Sequence, residues 1–150
     1  MKLLTSALFL VCGFCSRAQT LVELQSTIGS PSNAVQAIHA YPKDIESGKC
    51  HCVQITSIDL TNNSIVIIET WQSYLGSKAY TKLSGVMTGT VANGTWSSNF
   101  SGGSWTYDFS AGRGKWNKSS STFGAFTAWQ DLTFRIVKKG DVKDGFFSCQ

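Results

Sequence analysis

The feature that most constrains the fold is a run of short β-type segments from Cys50 to the C-terminus, with no helical segment between them. Residues 52–60 (CVQITSIDL) are rich in β-branched side chains, and residues 64–74 (SIVIIETWQSY) form the strongest such segment. Thr61-Asn62-Asn63 is predicted to turn between them. Parallel strands need long crossover connections, so these tight connections predict an antiparallel sheet.

The next segments follow the same pattern. Leu75-Gly76-Ser77 predicts a turn, and residues 79–92 predict a long strand with bulges or corners at Gly85 and Gly89. Asn93-Gly94 is the strongest hairpin signal in the chain, because both central residues of a type I′ turn need positive φ. We therefore predict a hairpin turn at Asn93-Gly94.

The segment 104–110 (SWTYDFS) alternates between aromatic and polar residues. Alternate side chains of a strand point to opposite faces, so Trp105, Tyr107 and Phe109 are predicted to share one face. The predicted turns that flank this strand are Ser101-Gly102-Gly103 and Gly112-Arg113-Gly114.

Residues 125–137 are predicted to hold one or two strands before the chain ends. In this segment Leu132, Phe134 and Ile136 alternate with polar or charged neighbours. A polar turn is predicted at residues 140–145.

The part of the chain before Cys50 has helical spacing instead. Leu21, Leu24 and Ile28 begin the pattern, and Ser30-Pro31 offers a cap and a first-turn proline. The predicted second helical segment then carries Val35, Ile38 and Tyr41 up to Pro42. The fold class predicted is all-β with a short helical N-terminal segment: an antiparallel meander forming an eight-stranded closed barrel, with a β-sandwich as the alternative.

The first residues predict a secretory signal peptide. Lys2 is followed by an apolar run from Leu3 to Cys15, and Ser16-Arg17-Ala18 gives small residues at the −3 and −1 positions. We therefore predict a signal peptide over residues 1–18 and a single secreted domain over residues 19–150. The apolar run is too short to span a bilayer, and no membrane span is predicted.

Cleavage after Ala18 lowers the formal charge from +4 to +2 through loss of Lys2 and Arg17. So small a charge argues against a nucleic-acid partner. The secreted part would keep Cys50, Cys52 and Cys149. In an oxidising compartment these predict one disulfide, from Cys50 or Cys52 to Cys149, and one spare thiol.

Four acceptor triplets for N-linked glycans follow the predicted cleavage site. Their asparagines are Asn62, Asn93, Asn99 and Asn117. A glycan requires that its asparagine face solvent.

The sequence predicts no enzyme, metal or cofactor. It has no Gly-x-Ser-x-Gly or His-Glu-x-x-His motif, and by alternation Asp108 faces away from the Trp105 side of its strand. In Cys50-His51-Cys52 the histidine opposes both cysteines, which is unsuited to a zinc site with four ligands. His39 falls in the predicted helix, where a packed or solvent-facing role is expected.

A ligand site is predicted from one acidic residue and several rings. Glu69 shares a strand face with Trp71, and an inward-facing Glu69 would be a buried carboxylate that needs a partner. A ligand amine can supply that partner, with cation–π attraction to Trp71. The alternative turns Val66 and Ile68 inward and leaves Glu69 solvated, and it is favoured because charged residues are rarely fully buried. The other ring residues predicted to line the site are Trp105, Tyr107, Phe109 and Phe134.

The order of elements resembles a lipocalin, and most closely the divergent lipocalins of tick saliva. The residues that carry the resemblance are a helix at Asn33-Ala34-Val35-Gln36-Ala37-Ile38, a strand start at Gly48-Lys49-Cys50-His51-Cys52-Val53 and a turn at Asn62-Asn63. The family's Gly-x-Trp motif is missing near the N-terminus, and Gly94-Thr95-Trp96 lies mid-chain.

The resemblance implies a non-enzymatic binding protein that holds a small apolar or amine ligand in its barrel, in the manner of a protein that sequesters a mediator. Two alternatives remain. A carbohydrate-binding, lectin-like module would use Trp96, Trp105 and Trp116 as a platform for a glycan. A secreted interaction or matrix protein would instead have a fully packed core.

Overall fold

The computed structural model describes residues 18–40, 49–73, 75–121 and 126–148. It begins with one short helix, α1 (Leu21–Thr27). The strands that follow are β1 (Asn33–Ala40), β2 (Lys49–Thr61), β3 (Ser64–Gln72), β4 (Lys78–Thr88), β5 (Val91–Ser98), β6 (Ser101–Asp108), β7 (Arg113–Lys118), β8 (Ser120–Ser121), β9 (Phe126–Lys138) and β10 (Gly145–Ser148), with a 3₁₀ turn at Lys139–Asp141.

Eight of the strands form a closed antiparallel barrel. The order is β1-β9-β7-β6-β5-β4-β3-β2, and pairing of β2 with β1 closes the circle. The short strands β8 and β10 add to β6 and β2. The predicted all-β meander and the eight-stranded closed barrel are thus confirmed. None of the helices in the described ranges has the length and apolar character needed to cross a membrane.

Helix α1 packs at one end of the barrel, which we call the helix end. A capping box starts the helix: the Glu23 N–H donates to Thr20 Oγ1 (3.3 Å), and the Thr20 N–H donates to Glu23 Oε2 (2.9 Å). Leu24 is fully buried in the barrel core, and Gln25 Nε2 donates to the Ile58 carbonyl (3.4 Å). At the opposite end, the far end, β1, β3, β5 and β7 stop.

The predicted second helical segment is wrong, because Asn33–Ala40 forms strand β1. Its apolar residues fit a helical period, but Val35 and Ala37 also fit a period of two and point into the core. Pairing to β9 on one side and β2 on the other decides between the two periods. Tyr41, the last residue of the predicted helical pattern, lies outside the described residues.

The predicted turn at Asn93-Gly94 is also wrong. The β4–β5 hairpin turns at Gly89 and Thr90, between the paired residues Thr88 and Val91, and Gly89 has a φ of 61°. Gly94 lies within β5 opposite Gly85, where a Cβ would collide with the Ser84 carbonyl oxygen. The glycine at position 94 therefore permits the close approach of β4 and β5 and does not form a turn.

Two further turns predicted from glycines lie elsewhere in the structure, because some of these glycines also stand within strands. Ser101-Gly102-Gly103 lies within β6, and the chain turns at Asn99 and Phe100. A Cβ at Gly103 would meet the Asn117 carbonyl and the Trp96 indole. Of Gly112-Arg113-Gly114, only Gly112 lies in the turn, because β7 begins at Arg113.

The period-two predictions for the aromatic strands are confirmed. Trp105, Tyr107 and Phe109 are at most 3 % exposed, and all three belong to the core cluster. Leu132 and Phe134 of β9 are equally buried.

The predicted turn between β2 and β3 is also confirmed. Asn62 and Asn63 form a two-residue connection between the paired residues Thr61 and Ser64, with φ of 51° and 65°. Positive φ at both positions is the requirement of a type I′ hairpin.

Replacing Asn63 with alanine should therefore lower the free energy of unfolding by about 1 kcal/mol, because a Cβ without a polar group disfavours positive φ. Asn63→Gly is the matched variant and should keep or slightly increase stability. It also leaves the Asn62 acceptor triplet intact. Urea unfolding of both variants measures the difference, and equal stabilities would contradict a positive φ at this position.

Candidate functional site

The barrel interior has two halves of different character. The half at the helix end is apolar, and its rings contact one another: Tyr107 lies 4.4 Å from Phe134 and 4.8 Å from Phe109 between ring centroids. The Tyr107 hydroxyl accepts from the Phe134 N–H (3.1 Å), and burial raises the pKa of that hydroxyl. Trp105 donates to the Ser84 carbonyl (3.2 Å). These four predicted ligand residues form packed core.

The half at the far end holds the buried polar side chains of the interior. Glu69 is 2 % exposed, on the same face of β3 as the fully buried Ile65 and Ile67, whereas Val66 and Ile68 are partly exposed. The favoured interpretation, in which Val66 and Ile68 face inward and Glu69 is solvated, is therefore wrong. A partner inside the chain makes the buried carboxylate tolerable.

That partner is His39, which is 7 % exposed. Its Nε2 lies 3.0 Å from Glu69 Oε1. His39 reaches the interior because it lies on β1 two residues beyond Ala37, and the expectation that it lies on a helix is wrong. This hydrogen bond fixes the orientation of the imidazole and leaves its Nδ1 without a hydrogen-bond partner.

A series of contacting aromatic rings runs through this half and includes the imidazole of His39. Neighbouring rings lie 4.7 to 6.3 Å apart between centroids. Trp71 is further held by a hydrogen bond from Nε1 to Thr81 Oγ1 (3.1 Å), and Trp96 by one to the Asn117 carbonyl (2.6 Å). In order of contact the rings are Phe100, Trp71, His51, His39, Trp116 and Trp96.

In the described part of this half, His39 and Gln130 have buried hydrogen-bonding atoms without partners. They are Nδ1 of His39 and both amide atoms of Gln130, which is 2 % exposed. Gln130 is paired with Trp116 across β7–β9, and it lies two residues from Leu132, which is paired with His39. A buried polar atom left unsatisfied costs about 1–3 kcal/mol, so these atoms are suited to hydrogen bonds with a bound molecule. No local pattern marks Gln130 in the sequence.

The six predicted ligand residues therefore do not form one group. Glu69 and Trp71 lie in the far half, and Trp105, Tyr107, Phe109 and Phe134 lie in the core at the helix end. The tryptophans of the predicted sugar platform, Trp96, Trp105 and Trp116, are at most 8 % exposed.

The cysteine predictions fall only partly on described residues. Cys52 is a buried free thiol. Cys149 and residues 1–17 of the predicted signal peptide lie outside the described residues. Among the residues with described positions, no three His, Cys, Asp or Glu side chains are grouped as metal ligands.

The four predicted glycan sites differ in their surroundings. Asn62, Asn93 and Asn99 are exposed. Asn117 is partly buried, and its Oδ1 accepts a hydrogen bond from the Ser104 N–H (2.7 Å).

His51 gives the far half a dependence on pH. Burial, and secondarily the nearby His39, lowers the pKa of His51 from 6.5 to about 4. The unfolded chain binds this proton below a pH near 6.5, and the folded chain binds it only below about 4. Protonation of His51 should therefore leave the free energy of unfolding unaffected above pH 6.5. It should lower that free energy by at most about 3 kcal/mol as the pH drops from 6.5 to 4.

The measurement is urea unfolding between pH 4 and 8 for the natural protein and for His51→Gln. Among the described residues, the ionisable groups that face His51 are His39 and, through it, Glu69. Both stay in the variant, so the difference between the two curves isolates His51. Parallel curves would contradict a lowered pKa at His51.

No protein-family model matches this chain, and no curated protein or solved structure matches it either.

Proposed function

We propose that this chain is a secreted, non-enzymatic binding protein that holds a small amine or apolar ligand in the far half of the barrel. The observation that carries the proposal is the Glu69 carboxylate, which is 2 % exposed and hydrogen-bonded to His39, itself one of a series of contacting rings. Barrels of eight strands have interiors wide enough for side chains or one small ligand.

A buried carboxylate–imidazole pair is weak as a stabilising device, because removing a carboxylate from water costs several kcal/mol. A hydrophobic pair of similar volume would serve the core equally well or better. The retention of a carboxylate and an imidazole in this half therefore supports a role beyond packing.

The chemistry favours a ligand with an ammonium group. A carboxylate has two oxygens and can accept several hydrogen bonds, so Glu69 can accept from a ligand while it remains near His39. Trp71 lies two residues further on the same face of β3, and its indole ring can make a cation–π interaction with the ammonium group. The remaining rings suit the apolar part of such a ligand.

The rings at the helix end are packed against one another. They support the alternative of a protein with a fully packed core for that half of the barrel only. A glycan platform has less support, because the three tryptophans proposed for it are buried in the barrel.

We further propose that the disulfide joins Cys50 to Cys149. The assignment is supported by the free thiol of Cys52 and by the disulfide-bonded state of Cys50. In the β10–β2 register, Phe147 pairs with Cys50 and Gly145 pairs with Cys52, so Cys50 is the nearer of the two to the chain terminus.

The proposed relationship to lipocalins rests on the closed eight-stranded meander and on a helix that packs at one end of it. The segment Asn33–Ala40, which the resemblance assigned to a helix, gives no support, because it is a strand.

The test is a tryptophan-fluorescence titration with 2-phenylethylamine and, as a neutral analogue, 2-phenylethanol. We expect saturable binding of the amine, because Trp71, Trp96 and Trp116 surround the site. Glu69→Gln should weaken amine binding at least about tenfold and change binding of the alcohol little, since the charge is lost and the volume kept.

Asp131→Asn is the matched control, because the Asp131 side chain is 74 % exposed on the barrel exterior. Its amine affinity should equal that of the natural protein. Absence of saturable binding, or equal weakening by both substitutions, would contradict a ligand site at Glu69.

A further inference from the structure

A strap of chain crosses the outside of the barrel between β9 and β10. The Lys139 N–H donates to the Ser32 carbonyl (2.9 Å), and the Lys143 N–H donates to Gln36 Oε1 (3.2 Å). The Gln72 N–H donates to Asp144 Oδ2 (2.9 Å). Residues 139–145 therefore lie over the outer faces of β1 and β2.

Gln36 lies under this strap and is 0 % exposed. Its neighbours Val35 and Ala37 point into the core, so its side chain points outward from the barrel. The bond from the Lys143 N–H fixes which amide atom is the oxygen, because an N–H must meet an acceptor. The other amide atom, Nε2, is buried without a hydrogen-bond acceptor.

Arg135 is the strand partner of Gln36 across β1–β9. Its Nε is likewise buried without an acceptor. None of the ion pairs among the described residues involves Arg135. Two unsatisfied donors, one of them on a guanidinium, therefore belong to paired residues on the outer wall.

A groove of about 190 Å³ lies next to Gln36 along β1 and across to β2, and neither Gln36 nor Arg135 is among its lining residues. Its lining includes Ala34, Gln54 and Lys139, and Gln54 is the strand partner of Gln36 on the β2 side. A single buried water needs only about 10–15 Å³, so the groove has room for a larger group.

We propose that this outer wall is a second binding site, which takes a small oxyanion between Arg135 and Gln36 beside the groove. The unsatisfied atoms are donors, so the ligand must be an acceptor, and the guanidinium selects a negative charge. Carboxylate and phosphate oxygens both fit, since arginine binds either through parallel N–H···O bonds. The site is independent of Glu69, which faces the interior.

The test uses the full ¹⁵N-labelled chain at constant ionic strength, titrated separately with acetate, phosphate and chloride. The arginine Nε–H signals are followed by NMR. We expect a saturable shift of the Arg135 signal with acetate, phosphate or both, which also tells whether the site prefers a carboxylate or a phosphate. The exposed Arg113 provides an internal comparison.

Two substitutions check the assignment, the first followed through the Gln36 side-chain amide signals and the second through the Arg135 Nε–H signal. Arg135→Lys keeps the charge but removes the planar fork, and should weaken oxyanion binding at least about tenfold, whereas Arg113→Lys should not. Gln36→Glu places a carboxylate beside Arg135 and should abolish binding. No shift at Arg135, an equal shift with chloride, or unchanged binding in Arg135→Lys would overturn the proposal. The two donors would then be assigned to hydrogen bonds with water.

Discussion

Replacing Glu69 with alanine should lower the free energy of unfolding by about 3–5 kcal/mol. The substitution removes one member of a buried pair and leaves His39, which is 7 % exposed, without its partner. The double variant His39→Phe with Glu69→Leu should recover most of that loss, because the uncompensated polar groups are then absent. Urea unfolding at pH 7 measures all three free energies.

The control for this prediction is the exposed pair of Lys115 and Asp131, whose charged atoms lie 3.6 Å apart with side chains 59 % and 74 % exposed. Asp131→Ala should give no measurable loss, because exposed ion pairs contribute little. Equal effects of Glu69→Ala and Asp131→Ala would contradict a buried pair in the barrel interior.

Replacing Gly94 with alanine should strongly destabilise the barrel. The new Cβ would collide with the Ser84 carbonyl oxygen and the Gly85 Cα, which are backbone atoms of the neighbouring strand. No side chain can move aside, so β4 and β5 would have to separate. We expect a loss above about 4 kcal/mol or failure to fold, measured by circular dichroism and urea unfolding.

Two glycines serve as controls for Gly94. Gly140→Ala should be neutral, because nothing lies within 4 Å of its Cβ position. Gly89→Ala also meets nothing within 4 Å but has a φ of 61°, so it should cost about 1–2 kcal/mol. A smaller effect at Gly94 than at Gly89 would contradict the position of the β4–β5 turn.

The period of side-chain alternation was a reliable guide where a strand is long and aromatic. Trp105, Tyr107 and Phe109 were predicted to share an inward face, and they do. Asn62 and Asn63 were predicted to turn, and their positive φ values show that they do. In both cases the signal is local and needs no knowledge of the neighbouring strands.

The predictions that failed depended on distant parts of the chain. A glycine signals either a turn or a close backbone approach, and only the position of β4 distinguishes these at Gly94. The segment Asn33–Ala40 is compatible with two periods, and pairing to β2 and β9 selects the strand.

The candidate site was missed in part for the same reason. Glu69 was expected outside because charged residues are rarely fully buried, and the partner that permits its burial is thirty positions away in the sequence. His39 was assigned to a helix, and Gln130 carried no signal at all. Trp71 and Glu69 were singled out correctly as neighbours on one face, since that relation is local to β3.

The measurement that tests the central claim most directly is native mass spectrometry of the protein produced in eukaryotic cells, treated with a glycosidase and incubated with a mixture of small amines and apolar molecules. We predict an added small-molecule mass that disappears on unfolding and is absent or strongly reduced in Glu69→Gln. A bare mass for the natural protein, or the same adducts on the variant, would contradict a ligand site in the far half of the barrel.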